Sequence, residues 1–243
     1  MSENDVKKIA ETDLYQPVYE CFTKLGYTVN SEVNDCDVTA VKGDDLIVVE
    51  LKRHLNIKLL IQATKRQRAA DLVYVAIPKP GKKLFSREWK DKCYLLRRLG
   101  LGLILVSFTG KAPKAEIKFH PLPFDTAKSK QINQKKRKRM IQEINERHGD
   151  YNVGGSSGKK LITAYREKAI HIACCLKELG ASSPKQLRAL GTGDKTTSIL
   201  YKNFYGWFER VQKGLYRLSR TGEEALKDYP DLAEYYMKKL DKG

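Results

Sequence analysis

Leu46-Ile-Val-Val-Glu-Leu-Lys52 sets a carboxylate and an amine into a segment that otherwise reads as a buried β-strand. Strand side chains alternate between faces, so Glu50 and Lys52 point the same way. Charges are costly to bury alone, so partners are expected. Asp37 to Val41 also reads as a strand, and Lys42-Gly-Asp-Asp45 between the two runs is a good turn. If the hairpin closes with Val41 opposite Leu46, Asp37 falls opposite Glu50. Directly opposed residues have Cβ atoms about 4.5–5.5 Å apart. Two carboxylates that close repel unless a cation lies between them, and Mg²⁺ or Mn²⁺ suits, being oxygen-seeking and able to keep several waters. Lys52 could then orient or deprotonate a water and offset charge building on a phosphate. An internal salt-bridge cluster is the competing reading of the same three side chains.

Outward from the hairpin, Ala10 to Leu25 carries Leu14, Tyr15, Val18 and Phe22 at helical spacings and is ended by Gly26. Tyr27 to Val33 reads as a first strand. A helix from about Asn56 to Ala70 leads to the apolar strand Leu72 to Ile77, and a helix around Arg87 to Arg98 leads to the buried run Leu101 to Ser107. This alternation predicts an α/β domain over residues 1–123, a mixed sheet flanked by helices.

The 243 residues carry 46 Lys+Arg against 29 Asp+Glu, a net +17. The excess is +6 over residues 1–120, +4 over 121–150 and +7 over 151–243. Basic charge spread along the whole chain suits a polyanion, because Lys and Arg gain affinity for phosphates by releasing condensed counterions. Nucleic acid is the leading partner; a merely solvated basic surface is the bland alternative. The longest apolar run, Leu99 to Val106, falls far short of the roughly 20 residues of a membrane span. Met1-Ser-Glu-Asn-Asp5 lacks the cationic and apolar regions of a secretory signal, so a cytoplasmic location is expected. Five cysteines without a CxxC spacing and four scattered histidines argue against a disulfide framework or a zinc site.

Beyond Pro123 the composition becomes polar. Residues 124–160 read as a basic, partly helical connector containing Lys135-Lys-Arg-Lys-Arg139 and the flexible Gly154-Gly-Ser-Ser-Gly158. A phosphate-binding P-loop fails there, since Val153 and Lys160 stand where glycine and Ser/Thr are needed. Residues 161–243 follow the order of a winged helix-turn-helix. Helices are expected over Tyr165–Leu179, Ser183–Leu190 and Lys195–Phe204, then a hairpin of Trp207–Gln212 and Leu215–Ser219. Thr221-Gly-Glu-Glu224 reads as a capping box opening a last helix. Lys195, Thr196, Thr197, Ser198, Lys202 and Asn203 would then face DNA, with Arg210, Lys213 and Arg217 on the wing and Lys135, Arg137 and Arg139 on the connector. A protein-binding helical module is the competing reading.

Cys36-Asp37, twelve intervening residues and Glu50-Leu51-Lys52 behind an N-terminal helix resemble the PD-(D/E)XK phosphodiesterase superfamily. The sequence is most similar there to a bacterial family with an appended winged helix, through Glu11-Thr-Asp-Leu-Tyr15, Val49-Glu-Leu-Lys-Arg53, Ala70-Asp-Leu-Val-Tyr-Val-Ala-Ile-Pro78, His148-Gly-Asp-Tyr-Asn-Val153 and Tyr205-Gly-Trp-Phe-Glu-Arg-Val211. The resemblance implies a restriction-endonuclease-like sheet, a Mg²⁺ or Mn²⁺ ion held by Asp37, Glu50 and the Leu51 carbonyl, and Lys52 as catalytic lysine. Cys36 replaces a proline that shapes the turn and makes no metal bond. Superfamily members often add a carboxylate from the first helix. Glu11, on the buried stripe with Leu14, Val18 and Phe22, is preferred to Glu20, about half a turn round, and Glu32 is in reserve. Gln62 and Arg66, one turn apart on the same side, are expected either to meet the scissile strand or to form a surface polar pair. The implied activity is metal-dependent hydrolysis of DNA; the alternative is a DNA-binding regulator or assembly protein whose nuclease-like half is structural. RNA as substrate and a homo-oligomer both stay open.

Overall fold

The computed structural model describes residues 9–156, 158 and 160–240. The polar opening Met1–Asp5 and, in the glycine-serine stretch, Ser157 lie outside the described residues, as does Lys159. The chain divides into two compact units, residues 1–129 and 130–243. The stretch expected as a connector is therefore shared between them, most of it grouping with the second unit.

In the first unit a short 3₁₀ turn, Glu11–Leu14, runs into helix α1, Tyr15–Lys24. Strands β1 (Thr28–Val33), β2 (Cys36–Lys42) and β3 (Asp45–Leu51) form an antiparallel meander. Helix α2 (Ile57–Arg66), capped by the Asn56 side chain, leads to β4 (Leu72–Pro78). Helix α3 (Arg87–Arg98), capped by Ser86, leads to β5 (Gly102–Ser107), and β6 (Lys114–Phe119) closes the sheet. The six strands lie in chain order, with β3, β4 and β5 parallel and the outer pairs antiparallel. Parallel neighbours need a crossover, and α2 and α3 supply it.

Both faces of this mixed sheet are covered. Leu14, Val18 and Phe22 pack on Val38, Ala40, Ile47, Val49 and Leu51. On the other face, Leu59, Ala63, Trp89 and Leu96 pack on Val48, Val73, Val75 and Leu103. Burial on both sides explains why β4 and β5 read as continuous apolar runs. The edge strand β6 goes beyond the sequence reading. Its alternation of Ala115, Ile117 and Phe119 with charged residues is that of a strand covered on one face only.

The second unit holds α4 (Thr126–Ile132) in part, α5 (Gln134–Asn145), α6 (Ala164–Leu179), α7 (Pro184–Ala189) and α8 (Thr196–Lys202). A hairpin of β7 (Phe208–Gln212) and β8 (Leu215–Leu218) follows, then α9 (Arg220–Lys227) and α10 (Pro230–Leu240). Helix α6 is its core element: every residue from Ala169 through Leu176 is buried, as in a helix that other elements surround on all sides. Ser183 and Gln186 form a capping box on α7. The box expected at Thr221 is corrected. Ser219 caps α9 by accepting from Gly222 N–H, and Thr221, inside the helix, donates its hydroxyl to the Gly206 carbonyl at 2.7 Å. Helix α10 is a further element outside the sequence reading; it packs Leu232 and Tyr236 into the core.

Five cysteines are free thiols, four of them buried. Among the described residues no helix is long and apolar enough to cross a membrane.

Candidate active site

Strands β2 and β3 build the site. Val41↔Leu46, Ala40↔Ile47, Thr39↔Val48 and Val38↔Val49 pair in the expected register, and one further step brings Asp37 beside Glu50. Val38 and Val49 pack toward α1, so by alternation Asp37 and Glu50 belong to the face of α2. The Leu51 N–H donates to Asp37 Oδ2 at 2.6 Å, which fixes one carboxylate against the end of β3.

Glu50 is only 1% exposed. Its counter-charge comes from the last turn of α2, where Arg66 Nε donates to Glu50 Oε1 at 2.7 Å. The other guanidinium nitrogens donate to the carbonyls of Asn34, at 3.3 Å, and Asp35. These two residues form the β1–β2 turn with φ of 49° and 60°, a conformation that Asn and Asp tolerate and that tight hairpins require. Arg66, expected at the scissile strand, is engaged inside the protein. It is an internal clamp, since a carboxylate buried this deeply needs a cation and Arg66 reaches it. Burial pushes the Glu50 carboxyl up, the Arg66 bond opposes that rise, the Asp37 charge adds to it, and the net direction is upward.

Lys52 follows β3 and pairs with Glu11, Nζ to Oε2 at 2.6 Å. In a 3₁₀ turn side chains three apart eclipse, so buried Leu14 sets Glu11 on the inward side; the α-helical stripe expected for it begins only at Tyr15. The Glu11 hydrogen bond raises the Lys52 pKa above its ordinary value, outweighing burial. Lys52 is therefore an ammonium in this arrangement, a source of positive charge rather than a base. Burial would raise Glu11, but the bond and charge of Lys52, with the Arg53 N–H, hold it below the usual carboxylate range. Glu20, the rejected alternative, is exposed and pairs with Lys24 at 3.7 Å, and Glu32 is exposed. Gln62 lies one turn before Arg66 with its Oε1 buried and making no hydrogen bond within the protein.

Among the described residues no three His, Cys, Asp or Glu side chains gather as a metal cage. Two neighbouring carboxylates and the Leu51 carbonyl nevertheless fit a hard cation that fills its remaining positions with water, which is how Mg²⁺ is commonly bound. The Arg66 bond engages Glu50 Oε1 and the Leu51 bond engages Asp37 Oδ2, so each carboxylate has a second oxygen for such an ion.

In the second unit the expected contact residues separate into two sets. Thr197, Ser198, Lys202, Arg210, Lys213 and Arg217 are exposed, as are Lys135, Arg137 and Arg139 on α5. Thr197 accepts a hydrogen bond from Arg188 at 2.8 Å, and Arg217 pairs with Glu209 at 2.7 Å. Thr196 is a correction, and Asn203 is engaged within the fold. Thr196 is fully buried and bonds the Thr192 hydroxyl and the Gly193 carbonyl. Asn203 ends α8 at a φ of 43° and clamps Phe208 through both its amide groups. Lys195 is exposed but held by Glu146, which also takes Lys168. These cations, Lys168 foremost, pull the Glu146 carboxyl down to about 2.

Sequence reasoning misses Asn34 and Asp35, whose carbonyls accept from the Arg66 clamp; consecutive Asn-Asp between two strand-like runs is the signal that could have found them.

Residues 104–225, half of the chain, match the model of a family described as "Putative PD-(D/E)XK phosphodiesterase (DUF2161)". The matched span starts on β5, so Asp37, Glu50 and Lys52 precede it. No curated protein and no solved structure matches.

Proposed function

The chain belongs to the DUF2161 family, whose description names a PD-(D/E)XK phosphodiesterase, and from that premise we propose that it is a divalent-metal-dependent nuclease acting on DNA. The observation that carries the reading is that the charges of Asp37, Glu50 and Lys52 act on one another at one end of the β2–β3 ladder, where the Leu51 N–H holds Asp37. Asp37, Glu50 and the Leu51 carbonyl would hold Mg²⁺ or Mn²⁺, which supplies Lewis acidity toward the phosphate. The Lys52 ammonium, positioned by Glu11, stabilises negative charge building on the phosphoryl oxygens. Arg66 opposes the rise that burial imposes on the Glu50 carboxyl and fixes its orientation.

The order of α6, α7, α8 and the β7–β8 hairpin supports reading the second unit as a winged helix-turn-helix that holds the substrate. Exposed Thr197, Ser198 and Lys202 on α8, with Arg210 and Lys213 on the wing, are its contact residues.

The test is a cleavage panel of duplex, single-stranded and branched DNA, and RNA, with and without Mn²⁺. Metal-dependent cleavage that disappears in Asp37→Ala and Lys52→Ala variants is the expected result. Cleavage that persists in both variants with EDTA present overturns it.

A second reading, a DNA-binding regulator or assembly protein with a structural first unit, draws on the protein counter-charges that Glu50 and Lys52 already have in Arg66 and Glu11. Steeply salt-dependent DNA binding without turnover, unchanged by Asp37→Ala, would favour it.

A further inference from the structure

A phosphodiesterase must also hold the nucleotides beside the bond it cuts, and the first unit has a cavity placed for that task. It measures about 730 Å³ and begins one residue beyond Lys52, at Arg53. That volume falls within the roughly 300–1,000 Å³ typical of sites for small organic ligands. Among the described residues its apolar wall includes Leu55, Ile77, Pro80 and Trp89. Arg53, Lys82 and Lys83 line it as cations, and Glu88, the one carboxylate among the described lining residues, is paired with Lys92 at 2.6 Å. Lys82 and Lys83 share a 3₁₀ turn, Lys82–Phe85, with a phenylalanine that is 87% exposed. A large exposed ring on the same turn as two lysines of the cavity wall has the composition of a base-stacking platform.

The chemistry selects among polyanions. In a continuous duplex each base is stacked on both faces and offers only its edges, so an apolar hollow gains little from it. An unstacked base offers a whole π-face, and its flanking phosphates meet the cations. We propose that this cavity receives an unpaired nucleotide next to the scissile phosphate, so that the substrate is a single-stranded end or flap rather than an uninterrupted duplex. The proposal rests on the phosphodiesterase reading for its purpose, though its binding test does not depend on turnover.

The test is fluorescence anisotropy of an end-labelled single-stranded DNA oligonucleotide with the full chain in EDTA, against the same strand carrying an abasic unit and a blunt duplex of equal length. The variants are Phe85→Ala and Lys82→Glu with Lys83→Glu, all at exposed positions where the fold is not at stake. Single strands should bind more tightly than the duplex. The abasic unit and Phe85→Ala should each weaken binding about tenfold, the effect of losing one stacked base. The lysine double variant should weaken it at least as much. Equal affinity for duplex and single strand, or single-strand affinity unmoved by Phe85→Ala and by the lysine pair, overturns the proposal. Because no cleavage is measured, failure here leaves the metal-dependent hydrolysis standing, and failure to cleave leaves this binding result standing.

Discussion

Arg66 Nε lies 2.7 Å from Glu50 Oε1, and the carboxylate it holds is only 1% exposed. Removing the cation strands a buried charge, the situation in which breaking an ion pair costs about 3–5 kcal/mol. Arg66→Ala should therefore lower the unfolding free energy by that order in urea titration. Arg66→Ala combined with Glu50→Gln should recover a large part of the loss. A single variant as stable as the parent would show that the pair does not hold the site together.

Glu11 holds the Lys52 ammonium, so its expected role is to position Lys52. Glu11→Gln should reduce turnover about 10- to 100-fold, as loss of a supporting partner commonly does. Affinity for DNA in EDTA should be unchanged. A loss of binding equal to the loss of rate would instead make Glu11 part of the substrate surface.

His171 is buried in α6, stacked on Tyr236 at 4.1 Å, with Nε2 lacking a partner within the protein. Burial first, then the charge of Lys239, pulls its pKa from 6.5 to about 4. The nearby Glu167 carboxylate accepts from the Tyr236 hydroxyl at 2.8 Å and from the His148 N–H. The unfolded chain thus binds this proton more readily than the folded one. The stability conferred is complete above pH 6.5 and is lost as pH falls toward about 4, on the order of 3 kcal/mol in all. Unfolding followed at neutral pH and near pH 5 should show a drop that His171→Leu reduces; an equal drop in that variant would exclude His171 as its source. Glu146 acts lower, its contribution being lost only between about pH 4.5 and 2.

Gly102 sits where an added Cβ would come within 2.4 Å of the Tyr74 ring and 2.7 Å of Pro121. Tyr74 is buried, with its hydroxyl bonded to His120 Nδ1 at 2.8 Å, so it has little freedom to retreat. Gly102→Ala should cost about 1–3 kcal/mol through overpacking, read as a lowered denaturation midpoint. An unchanged midpoint would mean that the ring moves freely.

On the second unit, Lys202→Glu and Lys213→Glu should weaken DNA binding and flatten its salt dependence by roughly one in slope for each phosphate no longer neutralised. Asn203→Ala should behave differently, lowering stability because Phe208 is no longer clamped. If Asn203→Ala altered base preference with stability intact, α8 would meet DNA through the residue that also ends it.

The central hairpin is legible in the sequence because every determinant is local: alternation fixes the faces, and a short turn fixes the register that puts Asp37 beside Glu50. The Arg66 clamp is not legible, for the opposite reason. Its spacing from Gln62 gives a correct helix face, but the bond to Glu50 depends on how α2 docks across the sheet, which periodicity does not encode. Thr196 looks like a surface hydroxyl by residue type, yet it satisfies its hydrogen bonds internally at Thr192 and Gly193 and so can be buried. Asn203 reads as a DNA contact, although an asparagine just past a helix is also a common left-handed terminator. The edge strand Lys114–Phe119 carries a period-two signal that its charges obscure.

Gly43 and Asp44 alone separate β2 from β3, with Gly43 at a φ of 60° as a primed hairpin turn requires at that position. Such a closure takes on the order of microseconds, whereas the parallel β3–β4 and β4–β5 pairings must wait for whole helical crossovers. During translation the two acidic residues and the lysine leave the ribosome ahead of everything from Lys130 onward. The nascent chain can thus close the hairpin that carries them while the part proposed to grip DNA is still being synthesised.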